Sequence, residues 1–104
     1  MSRDNRGTIT VQVRFFAYFR ETFGGKERVL KMDGGTTVAR LLESLGDDPA
    51  RRAELFADDP ALSAVLKPYV VVMINGANLA ERGGLAAELH DGDQVAVFPL
   101  MGGG

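Results

Sequence analysis

The residues best placed to do chemistry are the last ones. Met101-Gly102-Gly103-Gly104 follows directly on an alternating segment, Gln94-Val95-Ala96-Val97-Phe98-Pro99-Leu100, that reads as a strand. Glycine lacks a Cβ and is free in φ and ψ. Three in a row hold an α-carboxylate on a slim, flexible arm that can thread a channel closed to larger residues. Extended, the residues after Leu100 carry that carboxylate up to roughly 14 Å from the strand, at ~3.3–3.6 Å per residue. One reading is a frayed terminus, because chain ends are commonly disordered. The other makes Gly104 the reactive group. A carboxylate is a poor electrophile at neutral pH, so that reading requires activation to a species with a good leaving group.

The rest of the chain offers little competing chemistry. The single histidine, His90, stands beside Asp91 in a predicted turn, which suits an exposed polar residue better than a catalytic base. No ligand-type residues show metal spacing, so no metal site is expected. With no cysteine, disulfides, thiolate sites, iron–sulfur clusters and cysteine nucleophiles are excluded together. Gly34-Gly35 and Gly83-Gly84 lack a following Lys-Ser or Lys-Thr and read as turns, not as a phosphate cradle. Arg51-Arg52 and Asp58-Asp59 fall at predicted helix ends and read as a solvated face and a cap.

The elements that must position the chain end follow from the apolar pattern. Ile9, Val11, Val13 and Phe15 alternate with Thr10, Gln12 and Arg14, as in a half-buried strand, and Phe16 breaks the alternation. Ala17 to Phe23 suits a short helix with Gly24-Gly25 as its C-cap, and a second strand is expected near Glu27 to Met32. After the turn Asp33-Gly34-Gly35, Thr36 or Thr37 can cap a helix with Val38, Leu41, Leu42 and Leu45 on one face, closed by Gly46. Asp48-Pro49 and Asp59-Pro60 open two short helical stretches, carrying Leu55 and Phe56, then Leu62, Val65 and Leu66. Lys67-Pro68 stops the second. Tyr69 to Ile74 is apolar throughout and reads as a strand buried on both faces. Asn75-Gly76 signals a tight turn. A short strand around Asn78 to Glu81, a compact piece from Leu85 to Leu89 and a turn at Asp91-Gly92-Asp93 precede the last strand.

This order predicts an α+β roll, a mixed sheet of four or five strands packed on one main helix. Residues 1–7 are expected to be loose, 8–100 to form the domain and 101–104 to be a glycine tail. If Val95 and Val97 face the core, Phe98 falls on the opposite face with Gln94 and Ala96. Either a second layer or a small bulge covers it, or it is exposed for docking. A partner acting on Gly104 has to grip the strand leading to it, so Phe98, Pro99, Leu100 and Met101 are the candidate docking residues.

Net charge is −2 and the 12 Lys and Arg are scattered, which argues against nucleic acid. The polar N-terminus lacks a signal-peptide stretch, and no apolar run approaches the ~18–20 residues of a membrane span. A soluble cytoplasmic protein is expected.

The end Phe98-Pro99-Leu100-Met101-Gly102-Gly103-Gly104 resembles, without insertion, the Phe-Pro-Pro-Val-Ala/Ser-Gly-Gly terminus of the molybdopterin synthase small subunit. Further matching blocks are Val13-Arg14-Phe15-Phe16-Ala17, Thr37-Val38 ahead of Leu41-Leu42, Val72-Met73-Ile74-Asn75-Gly76 and Asp91-Gly92-Asp93-Gln94-Val95. Together they make the chain similar to the MoaD/ThiS-type ubiquitin-like sulfur carrier family. Leu100 replaces a usual proline and Gly102 an Ala or Ser, which loosens the tail without touching the carboxyl.

The resemblance implies a β-grasp fold with the first and last strands parallel at the sheet centre. It also implies a carrier rather than an enzyme, with no cofactor bound stably. In such carriers an E1-like activating enzyme uses ATP to adenylate the terminal glycine, here Gly104, and a sulfur donor displaces AMP to leave a thiocarboxylate. Gly102 and Gly103 would then thread the partner's channel. The acceptor side would be the large subunit of molybdopterin synthase. Because Gly83-Gly84-Leu85 with Asp91-Gly92-Asp93 also resembles carriers for cysteine synthesis, a pyridoxal-phosphate-dependent cysteine synthase is an alternative. Phe98 favours the former. A thiamine-pathway carrier fits less well, given the helical insert at residues 47–66. A protein modifier joined to lysine, or a plain interaction module with an inert tail, are the readings from other classes.

Overall fold

The computed structural model describes residues 7–57 and 66–100. The expectations for residues 1–6, for Asp58-Asp59, for Leu62 and Val65 of the second helical stretch, and for the tail from Met101 to Gly104 lie outside them; Leu66, expected in that stretch, is described and instead bridges Phe56 as extended backbone.

Strand β1 (Thr8–Phe15) realises its alternation, with Ile9, Val11, Val13 and Phe15 buried. The chain then turns through helix α1 (Phe19–Thr22), which drops Phe19 and Phe23 into the core. There the Phe23 ring stacks on Phe15 at 4.8 Å and meets Phe19 edge-on at 5.5 Å. Gly24 takes φ +84°, and the Gly25 N–H donates to the Arg20 carbonyl at 2.7 Å, closing the helix as its glycine pair predicts. Strand β2 (Glu27–Asp33) pairs antiparallel with β1.

Helix α2 (Val38–Leu45) is capped by Thr37, whose hydroxyl accepts the Arg40 N–H at 3.3 Å. Val38, Leu41, Leu42 and Leu45 form its fully buried seam against the sheet. Helix α3 (Pro49–Leu55) starts on Asp48, whose carboxylate accepts the Arg51 N–H at 2.8 Å, with Pro49 at the first helical position. Gly46 between the two helices is required by space: a Cβ there would stand 3.0 Å from Arg52 Cα. Arg51 does not belong to a solvated face. Its Nε donates to the Thr22 carbonyl at 3.0 Å and its guanidinium pairs with Asp47 at 3.1 Å, tying α3 to the end of α1.

Strand β3 (Val70–Ile74) corrects the expectation of burial on both faces. Val72 and Ile74 are buried, while Val70, Val71 and Met73 are only partly covered. Asn75 and Gly76, both at positive φ, make the tight turn into β4 (Ala77–Asn78). The strand expected from Asn78 to Glu81 ends at once, because Asn78 Oδ1 accepts the Ala80 N–H at 3.0 Å and opens a 3-10 turn, Leu79–Arg82. A second such turn, Gly84–Ala86, follows. Strand β5 (Gln94–Pro99) lies between β1, parallel, and β3, antiparallel. The sheet order is β2-β1-β5-β3-β4, and the core fills the space between one sheet face and the helices.

Candidate functional site

The site is the path by which β5 leads the chain out of the sheet. At its start, the Asp91-Gly92-Asp93 turn is bonded to both flanking elements. Asp91 Oδ1 accepts the Thr10 N–H at 2.7 Å, and Asp93 Oδ1 accepts from Asn75 Nδ2 at 2.9 Å. At its end, the Leu100 N–H donates to the Tyr69 carbonyl at 2.6 Å. The backbone is therefore paired with β1 as far as Val97 and held on the β3 side up to Leu100, the last described residue, which is 62% exposed.

Alternation along β5 separates the predicted docking residues. Val95, Val97 and Pro99 face the core, and Gln94, Ala96 and Phe98 face the other way. Pro99 is buried opposite Val70, on the face of the strand away from Phe98. Phe98 pairs with Val71 in an unbroken register, so no bulge hides it. Its ring is half-buried and meets Phe16 edge-on at 5.9 Å. The guanidinium groups of Arg14 and Arg20 lie 5.8 and 5.6 Å from the Phe16 ring centre. Arg20 is fixed there by its Nε donating to the Phe15 carbonyl at 3.1 Å. With Val71, Ala96 and Met73 partly exposed beside them, these rings form an apolar patch flanked by cations on the uncovered sheet face. Phe16 was not among the candidate site residues. Its signal was the break in alternation, which Ala17 turns into a change of direction at φ +56°.

A second group ties the exit to α3. The hydroxyls of Tyr18 and Tyr69 both donate to Glu54 Oε1, at 3.3 and 3.4 Å, and Tyr69 is the residue whose carbonyl holds Leu100. Burial raises the Tyr18 phenol above its ordinary range, and the negative charge and hydrogen bond of Glu54 add to that.

His90 is an exposed turn residue, with Nδ1 3.9 Å from Asp93 Oδ2. It borders a concavity of about 400 Å³ shared with Ile74, Glu81, Arg82 and Asp93 at the start of β5, the opposite end of the strand from Leu100. Among the described residues, no three His, Cys, Asp or Glu side chains are grouped to hold a metal ion. No helix among them is long and apolar enough to cross a membrane.

A sheet whose first and last strands run parallel at its centre, with its main helix on one face and the chain end leaving from the central strand, defines a ubiquitin-like β-grasp protein. The sequence pattern of the ThiS family matches residues 13–104, and the chain belongs to that family. It is 37% identical over 94 residues to small archaeal modifier protein 3 of Haloferax volcanii, covering 90% of this chain and 98% of that one. Over 94 residues it is 31% identical to the molybdopterin synthase sulfur carrier subunit of Chlamydomonas reinhardtii, again covering 90% and 98%. The solution structure of a Haloferax volcanii protein, 36% identical, superposes with a TM-score of 0.77 over 100% of this chain and 94% of that one.

Proposed function

We propose that the chain is a sulfur carrier whose Gly104 carboxylate is adenylated and converted to a thiocarboxylate that donates sulfur in molybdopterin biosynthesis. The observation supporting this is the apolar, cation-flanked patch around Phe98, set on the strand that leads out to the glycines within a family match reaching Gly104. An activating enzyme grips this patch and Leu100, with Met101 beyond it. Gly102 and Gly103 pass through the partner's channel because only a chain without side chains fits. The carboxylate attacks the α-phosphorus of ATP and pyrophosphate leaves. Sulfide from the donor then attacks the acyl carbon, the C–S bond forms as the C–O bond to AMP breaks, and Gly104 is left as the thiocarboxylate. The carrier itself is non-catalytic: ATP and the acid–base groups belong to the partner, and the large synthase subunit takes the loaded tail.

The test is the intact mass of the protein after incubation with ATP, the activating enzyme and a sulfur donor. One oxygen replaced by sulfur is expected, and a mass unchanged with every cognate activating enzyme refutes the reading. A captured large synthase subunit indicates a pterin acceptor, and a pyridoxal-phosphate enzyme indicates cysteine instead.

The likeness to a protein named as a modifier favours a second reading, in which a lysine amine takes the place of the sulfur nucleophile and an isopeptide bond forms at Gly104. Peptides joining Gly104 to lysine in cellular digests would establish it.

A further inference from the structure

Among the described residues, the sheet has one long edge with no strand beyond it. β4 is two residues long, whereas β2 runs seven residues with no described segment beyond it. Which of its backbone groups are free follows from the register with β1. The Phe15 N–H donates to the Lys26 carbonyl and the Gly34 N–H to the Gly7 carbonyl, so these are the bonded pairs of the ladder, recurring every second residue. Arg28, Leu30 and Met32 therefore bond inward to β1. Glu27, Val29, Lys31 and Asp33 turn their N–H and C=O groups outward. The same residues project from the uncovered face of the sheet, and Val29 is 60% exposed there.

We infer that β2 is a self-association edge, on which a second copy pairs antiparallel, β2 to β2, about a two-fold axis at Val29. Charge selects this register. Centred on Val29, the pairing sets Glu27 opposite Lys31 of the second copy, and Lys31 opposite its Glu27, with valine on valine between them. A shift that centres on Leu30 sets Glu27 against Asp33 twice, and one that centres on Lys31 opposes two lysines. Both place like charges directly across strands. In the favoured register the outward N–H and C=O groups of Glu27, Val29 and Lys31 meet their counterparts in three successive bonded pairs, an isologous contact that closes on itself. Lys31 has no charged partner among the described residues, and Glu27 accepts only from Gln12 Nε2, at 2.7 Å, so both are available. β1 separates this edge from β5, so the dimer leaves the chain end free and continues two uncovered faces into one sheet. The contact is short, which places it among weak, concentration-dependent interfaces.

Sedimentation velocity at protein concentrations up to about 1 mM tests the proposal. The wild type is expected to shift from monomer to dimer. Lys31→Glu, which leaves the Gln12 bond in place, turns two symmetric attractions into repulsions and should weaken the dimer roughly ten-fold. Glu27→Lys with Lys31→Glu reverses both charges and should restore it, a rescue that a merely misfolded variant cannot give. In amide NMR, the Glu27, Val29 and Lys31 N–H groups should gain exchange protection with concentration, while those of Arg28 and Leu30 stay protected throughout. A monomer at every concentration, a dimer indifferent to Lys31→Glu, or a double variant that stays weak would overturn it. None of these outcomes depends on the chemistry at Gly104.

Discussion

Phe98 packs in a T-shaped contact with Phe16 and stays half-buried, on the face of β5 that the alternation anticipated. Its partner was not legible, because a break in alternation at Phe16 does not say where that ring goes. The positive φ of Ala17 decides it. Pro99 is buried by the same parity that turns Phe98 to the other face. Phe98→Ala should weaken binding to the activating enzyme roughly ten-fold or more by calorimetry, as loss of an aromatic anchor does. Its cost in unfolding free energy should stay below the ~3–5 kcal/mol of a fully buried phenylalanine, since the ring is only partly buried. Tyr18 allows a pH prediction. With its folded phenol raised, the unfolded chain gives up this proton first. Its contribution to stability is therefore intact below the ordinary tyrosine value of about 10 and is lost as pH rises past it. Tyr18→Phe should flatten that alkaline loss in melting curves taken across this range.

The helices are the elements the sequence described most completely. Thr37 and Asp48 cap as their residue types require, and the apolar positions of α2 form its buried seam. Gly46 looked like a helix stop, and its reason is instead the approach of α3, which no local pattern encodes. Gly46→Ala should destabilise the fold by about 1–2 kcal/mol in denaturant titrations, because the new Cβ meets backbone that cannot swing aside. The segment after Asn75-Gly76 was least legible. Asn78 has a side chain that competes for the backbone, and one hydrogen bond to Ala80 decides between strand and 3-10 turn.

For the molecule as a whole, the carrier reading separates stability from function. Deleting Gly103 and Gly104 should leave the melting temperature unchanged within error and abolish the mass shift, since the buried core among the described residues runs from Ile9 to Val97. An inert tail predicts no functional loss. The sequence by itself determined the order of β1, β2, α2, α3, β3 and β5, the seam of α2 and the family to which the chain belongs. Periodicity and caps are local, and those features are written in neighbouring residues. Tertiary structure decided which sheet face stays more open, that β3 buries Val72 and Ile74 fully and its other face only partly, that Phe16 joins Phe98, and that β2 has no strand beyond it among the described residues. Those depend on contacts between residues far apart in the chain, such as Phe15 beside Val97 and Val71 beside Phe98, which no local pattern can report.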